Sequence, residues 1–208
     1  MTLTLQDLSD ALAGAYAHAA ASLVTVRSGQ HGQGAGVIWS EDGLIATSAH
    51  VLKRGTTEVM LPDGHSLAAR LVGRHRDHDL ALLRVDASGL PAAEIGASQA
   101  VRPGEWVLAL GHPWGIPGGA TAGVVIGAGR NLPENPWPGR EWIAVNLHYR
   151  PGHSGGPPRD AGGRVLGLNT VMTGPSVGLA VPAHLAVDLA AGQGHTASTP
   201  PADVLLHL

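Results

Sequence analysis

The sequence predicts an all-β fold built as two barrels, and three observations carry that prediction. Short runs rich in β-branched and aliphatic residues recur from Ser22 to Pro182, each about the length of a strand. Turn residues separate them, as in Glu41-Asp42-Gly43 and Pro62-Asp63-Gly64, and the helical stretches that βαβ units need are missing. The pattern also occurs twice, before and after a connection at Val101 to Pro103.

Taken in order, the chain starts with an amphipathic helix over 5–21. Leu5, Leu8, Leu12 and Ala15 or Tyr16 share one face, and Thr4 or Thr2 can cap it. The first series of strands is SLVTVR (22–27), GVIWS (36–40), LIATS (44–48), EVML (58–61), SLAARLVG (66–73) and DLALLRV (79–85), and this barrel closes near Ile95. The second is EWVLALG (105–111), TAGVVIGAG (121–129), EWIAVNL (141–147), RVLGLNTV (164–171) and VGLAV (177–181). Helical spacing returns over 182–191, and a segment poor in order-promoting residues follows. The expected boundaries are 22–96 for the first barrel, 101–182 for the second, one domain over 1–190, and a tail over 191–208.

Size and composition exclude several functions. A chain of 208 residues suffices for two small barrels sharing a cleft. Its net charge of −3, with scattered Lys and Arg, offers no surface for nucleic acid. Without cysteine there is neither a disulfide framework nor a thiol nucleophile. Asp7 and Asp10 precede the apolar run and no basic leader is visible, nor is any stretch long and apolar enough to span a membrane. A cytoplasmic location is therefore expected. Of the many histidines, His75 and His78 flank Asp77, and His148 and His153 lie near Ser154, but none has zinc-ligand spacing. No metal and no cofactor are expected.

The chemistry centres on RPGHSGGPP (150–158). Glycines around one serine let the backbone approach a substrate closely, so that N–H groups can meet a developing oxyanion while Ser154 Oγ attacks. Alone, this would read as a surface turn. TSAHV (47–51) and HDLALLRV (78–85) upstream change the reading, because they supply a histidine and an aspartate in the order His, Asp, Ser.

Together these segments resemble the chymotrypsin-like serine proteases, specifically the HtrA/DegP branch. LGHPWG (110–115) and VGLAVP (177–182) resemble two further segments of that branch, and the resemblance spans 22–190. It implies two six-stranded antiparallel barrels, with His50 as general base, Asp79 as orienting acid and Ser154 as nucleophile. It also implies an oxyanion site from the backbone of Gly152, His153 and Ser154. The expected protein is a protease domain without a PDZ domain, a serine endopeptidase acting on unfolded or damaged polypeptides. The competing reading is a catalytically silent peptide-binding or chaperone-like module on the same fold.

Carried over segment by segment, the resemblance builds the substrate pocket from His148, Tyr149, Leu168, Asn169, Thr170 and Val177. None of these is acidic, so Lys and Arg are disfavoured and Ala, Val, Ile or Leu expected before the scissile bond; His148 offers an acidic residue a rival anchor. Family trimers use N-terminal aromatics. Here Tyr16 is the only one before Trp39, which leaves monomer and trimer both open.

Overall fold

The computed structural model describes residues 4–30, 32–133 and 135–194. Helix α1 (Leu5–Ala20) begins with a reciprocal cap: Asp7 N–H donates to Thr4 Oγ1 (3.1 Å) and Thr4 N–H donates to Asp7 Oδ2 (2.8 Å). Its inward face carries Ala15 and Ala19, small enough to bring the helix close to Leu108 and Leu110.

Six strands form the first barrel: β1 (Leu23–Ser28), β2 (Gly32–Ser40), β3 (Leu44–Ser48), β4 (Thr57–Met60), β5 (Ser66–His75) and β6 (Leu80–Val85). They run antiparallel in the order β1-β2-β3-β6-β5-β4, and β1 pairs with β4 to close the ring. Closure removes the exposed edges that an open sheet would leave.

The second unit is a six-stranded antiparallel sheet of β7 (Trp106–Gly111), β8 (Gly119–Gly129), β9 (Trp142–Val145), β10 (Pro158–Arg159), β11 (Gly167–Gly174) and β12 (Val177–Pro182). Its order is β10-β7-β8-β9-β12-β11. The outer strands approach each other, since Leu166 N–H donates to Pro158 O (2.9 Å) and Asn169 N–H to Gly156 O (2.8 Å). Helix α2 (Ala183–Gly192) follows at once. All-β, two six-stranded units and two helices is thus the fold class found.

Several strands are longer than expected, β2 most of all, since it begins at Gly32 and not 36, and three further elements differ in kind or position. β10 has only two residues and begins with proline, so no period-two pattern announces it. β9 stops at Val145, because Leu147 N–H turns back to Val145 O (2.9 Å). β11 starts at Gly167 and runs on to Gly174, three residues beyond the expected end. Of the expected tail, 195–208 lie outside the described residues.

The two units share a core. One continuous cluster contains Val37, Trp39, Leu44, Leu80 and Leu82 from the first and Trp142, Val165, Leu168, Leu179 and Val181 from the second. Polar ties cross the same seam. Ala35 N–H donates to Ser154 O (2.8 Å), and buried Arg159 reaches Ser22 Oγ while donating to Gly163 O (2.7 Å).

Candidate active site

His50 sits in a 3-10 turn (Ala49–Val51) just past β3, and Asp79 immediately precedes β6. Since β3 pairs with β6 from Ser48↔Leu80 onward, the register brings the two residues side by side. His50 Nδ1 lies 2.6 Å from Asp79 Oδ2, and His50 N–H donates to Asp79 Oδ1 (2.8 Å). The histidine is thus held by ring and backbone together. Asp79 adopts φ 52, in the left-handed region that few residues other than glycine enter. Ala49 N–H donating to Asp79 O (2.9 Å) and Asp79 N–H donating to Arg76 O (3.1 Å) hold it there.

A third group completes this arrangement. Thr170 Oγ1 on β11 donates to Asp79 Oδ2 (2.9 Å), and Ser48 Oγ lies 3.2 Å from Thr170 Oγ1 while donating to Asn169 O (3.1 Å). With the carboxylate accepting from Thr170 and from His50 Nδ1–H, the unprotonated Nε2 of the imidazole is left for other work.

Ser154 is brought to the same seam by its neighbours. At Gly155, φ is +80 and a Cβ would stand 2.3 Å from both Ala35 O and Thr47 Oγ1, so only glycine lets the chain press against β2 and β3. Gly155 N–H donates to Asn169 O (2.8 Å), the carbonyl that also receives Ser48. Ser154 Oγ and His50 are not hydrogen-bonded to each other in this structure; such bonds are often long without substrate and tighten on binding.

The backbone before Ser154 forms a turn with Pro151 second and Gly152 third, Gly152 having φ +103, and with His153 N–H donating to Arg150 O (2.9 Å). Trp114 N–H donates to Pro151 O (2.9 Å), and the trans peptide therefore points Gly152 N–H the opposite way. Likewise His153 O accepts Gly156 N–H (2.9 Å), which turns Ser154 N–H away from Gly156. Among the described residues neither Gly152 N–H nor Ser154 N–H has a partner. Of the three expected oxyanion donors, the His153 N–H is spent on the turn, and those of Gly152 and Ser154 are left unpartnered.

The His153 side chain is buried behind this turn, where its Nδ1 accepts Arg150 N–H (3.0 Å) and its Nε2 has no partner. His112, after β7, is buried beside it. Its Nδ1 accepts Gly118 N–H (3.2 Å), and its N–H donates to Gly152 O (2.9 Å). Desolvation holds both imidazoles below the ordinary histidine value.

The expected pocket residues scatter. Leu168 is fully buried in the shared core, and Asn169 turns inward to donate from Nδ2 to Leu110 O (3.2 Å). Neither side chain faces outward, because the alternation of β11 points Leu168 into the core and the adjacent Asn169 caps a β7 carbonyl. Thr170 serves Asp79 instead. His148 is exposed, its Nδ1 2.8 Å from Pro175 O, and Val177 packs half-buried on the shared core. Tyr149 is buried. Its ring lies against Gly178, where a Cβ would meet it at 2.6 Å, and its N–H points at Met172 Sδ (3.2 Å). The role of Thr170 escaped sequence reading because it joins groups 91 residues apart.

Two six-stranded antiparallel units, with a His–Asp pair in the first and a glycine-flanked serine of the second at their seam, define the chymotrypsin-like class of hydrolase folds. Comparison with known proteins narrows the class. Residues 34–168 match the family described as trypsin-like peptidase domain. A serine protease named HhoB from Synechocystis sp. is 37% identical over 77% of this chain and 40% of its own length. A DegP-like periplasmic serine endoprotease from Halomonas elongata is 38% identical over 76% of this chain and 34% of its own. Among solved structures, a serine endoprotease from Yersinia pestis superposes with TM-score 0.79 and 29% identity, covering 88% of this chain and 66% of that one. The HtrA-type protease AlgW with tripeptide gives TM-score 0.77 and 33% identity over 85% of this chain and 61% of that one. The chain belongs to the trypsin-like peptidase family and, within it, to the HtrA/DegP serine proteases. It spans about two fifths or less of the length of these curated relatives.

The comparisons also correct the expected location. Relatives from Halomonas and Pseudomonas are named periplasmic endoproteases, which points to the periplasm and not the cytoplasm. The expectation rested on the lack of a visible leader, of a membrane span and of cysteine, and none of these fixes a compartment.

Proposed function

We propose that this chain is a serine endopeptidase using Ser154, His50 and Asp79 through an acyl-enzyme. His50 Nε2 takes the Ser154 Oγ proton as the oxygen attacks a peptide carbonyl carbon, then delivers it to the departing amine. Water repeats the sequence on the ester, with His50 again as base, and releases the acid product. Asp79 keeps the ring proton on Nδ1 and stabilises the imidazolium. Gly152 N–H and Ser154 N–H donate to the oxyanion of each tetrahedral intermediate, where loss of one donor typically costs about 3 kcal/mol.

The observation that carries this reading is the double hold of Asp79 on His50, at 2.6 and 2.8 Å, together with the free N–H groups of Gly152 and Ser154 in the turn on the other side of the seam. Unfolded or damaged polypeptides are the proposed substrates, supported by membership of the HtrA/DegP family. A fluorophosphonate probe tests the chemistry. Labelling should occur in the wild type and be lost in both Ser154→Ala and His50→Ala. A folded wild-type protein that takes no label is instead a silent binding module.

A further inference from the structure

The oxyanion turn rests on the loop between β7 and β8, and that loop is itself strained. Trp114 has φ 52, a conformation costly for a bulky aromatic, and its indole is 68% exposed, so burial of the ring does not stabilise it. Together with the Arg150 guanidinium, 5.4 Å over the Trp114 ring, hydrogen bonds hold the loop. Two run to the turn: His112 N–H to Gly152 O and Trp114 N–H to Pro151 O, each 2.9 Å. The second of these orients the 151–152 peptide and so the Gly152 donor.

The far end of the loop is held from elsewhere. Gly118 N–H donates to His112 Nδ1 (3.2 Å), and Gly118 O accepts from Tyr16 Oη (2.8 Å). Tyr16 lies on α1, 102 residues away, and the helix packs through Ala15 and Ala19 on Leu108 and Leu110 of β7. A continuous path of hydrogen bonds thus leads from helix hydroxyl to loop, from loop to the His112 ring, and from the His112 backbone to the oxyanion turn. Gly118 comes so near Tyr16 that a Cβ there would stand 2.7 Å from the hydroxyl. The contact is a fitted one.

We propose that Tyr16 and His112 are positioning residues for the peptidase reaction: through Gly118 they brace the β7–β8 loop so that the Gly152 N–H faces the oxyanion. Helix α1 then acts on catalysis within its own chain. The inference rests on the peptidase reading above, and deepens it by assigning the N-terminal helix a part in transition-state stabilisation. Neither residue touches substrate. Loss of the brace therefore raises the barrier to chemistry and leaves ground-state binding nearly intact.

Tyr16→Phe keeps the ring packed and removes only the hydroxyl, and His112→Leu keeps bulk but removes the acceptor. Steady-state kinetics on an unfolded polypeptide or fluorogenic peptide should show kcat down about five- to tenfold in each, with KM within about twofold. Affinity for a peptide aldehyde, which forms a tetrahedral adduct, should fall by the same factor. His112→Asn, which offers a side-chain acceptor at a similar reach, should recover most of the rate that His112→Leu loses. Amide exchange supplies a readout independent of activity: protection at Trp114 and Gly118 should drop in Tyr16→Phe while that of β3 and β6 stays unchanged. Unchanged kcat and unchanged exchange at 112–118 in Tyr16→Phe would overturn the brace, as would a loss spread evenly over all amides. If the wild type neither cleaves nor labels, the peptidase reading fails, and exchange still decides whether the brace exists.

Discussion

Asp79 holds its left-handed backbone with two main-chain hydrogen bonds while its carboxylate receives three more, from His50 N–H, His50 Nδ1 and Thr170 Oγ1. Each donor restricts the carboxylate, and through it the imidazole. Thr170→Val removes one of them without changing side-chain shape much. Under the proposed mechanism kcat should drop about tenfold, ~1.4 kcal/mol in barrier, with KM little changed. A rate within twofold of wild type would show that His50 needs no such help. Buried His112 and His153 make a different prediction, about stability. Both pKa values are lowered in the fold by desolvation, so below the unfolded value of about 6.5 the unfolded chain binds more protons. Their contribution is complete above that pH and is lost as pH falls towards the folded values. The lowered Asp42 and Asp63 act only at more acid pH, around and below the carboxylate value of 3.8. Half-buried His78, lowered by desolvation, acts in the same direction, and exposed His65, raised by Asp63, opposes it. With more groups lowered than raised, thermal melts of Ser154→Ala should fall between pH 7 and 5, and adding His153→Asn should flatten that fall.

The elements around the turn decide what the enzyme accepts. On β11 and β12 Met172 pairs with Gly178, and the Tyr149 ring covers Gly178 while its N–H meets Met172 Sδ. Tyr149 belongs to the same buried cluster as Leu147, Leu166 and Ala180. Volume beneath the turn is thus filled with apolar side chain, and none of the described residues of this cluster is a carboxylate. Cleavage mapping on a denatured protein mixture should give cuts after small aliphatic residues, chiefly Ala and Val. Cuts mostly after Lys or Arg would contradict this filling; cuts mostly after Glu would point to the exposed His148.

At the scale of the whole molecule the two units behave as one body. Trp39 in the first and Trp142 in the second are both essentially buried within the same apolar cluster, which α2 also covers through Ala183, Ala186 and Ala190. Arg159, at 1% exposure, spans to Ser22 across the seam, and burial lowers its pKa to about 10. A core divided between units would let one open before the other; a shared core couples them. Tryptophan fluorescence and far-UV circular dichroism, followed on one and the same protein, should therefore report the same denaturant midpoint and slope. Two separated transitions would show that the seam is weaker than its packing indicates.

The strands of both units were legible because alternation, β-branched runs and turn residues are local signals, as LIATS (44–48) shows by matching β3 to the residue. His50, Asp79 and Ser154 stand out as candidates because each lies in a short motif whose residue types suit one chemistry. What the sequence could not determine depends on contacts between distant segments. The two-residue β10 exists only because β7 and the Val165 segment just before β11 flank it. Thr170 reads as a pocket residue until the docking of β11 against β3 sets its hydroxyl on Asp79. Gly152, His153 and Ser154 look equivalent as backbone donors, yet the turn uses one N–H and leaves two free. Tyr16 reads as a helix-face aromatic, and only tertiary packing brings its hydroxyl to Gly118. Periodicity and motif chemistry are properties of neighbours along the chain; hydrogen-bond partnership across it is fixed by register and docking, which only the folded structure decides.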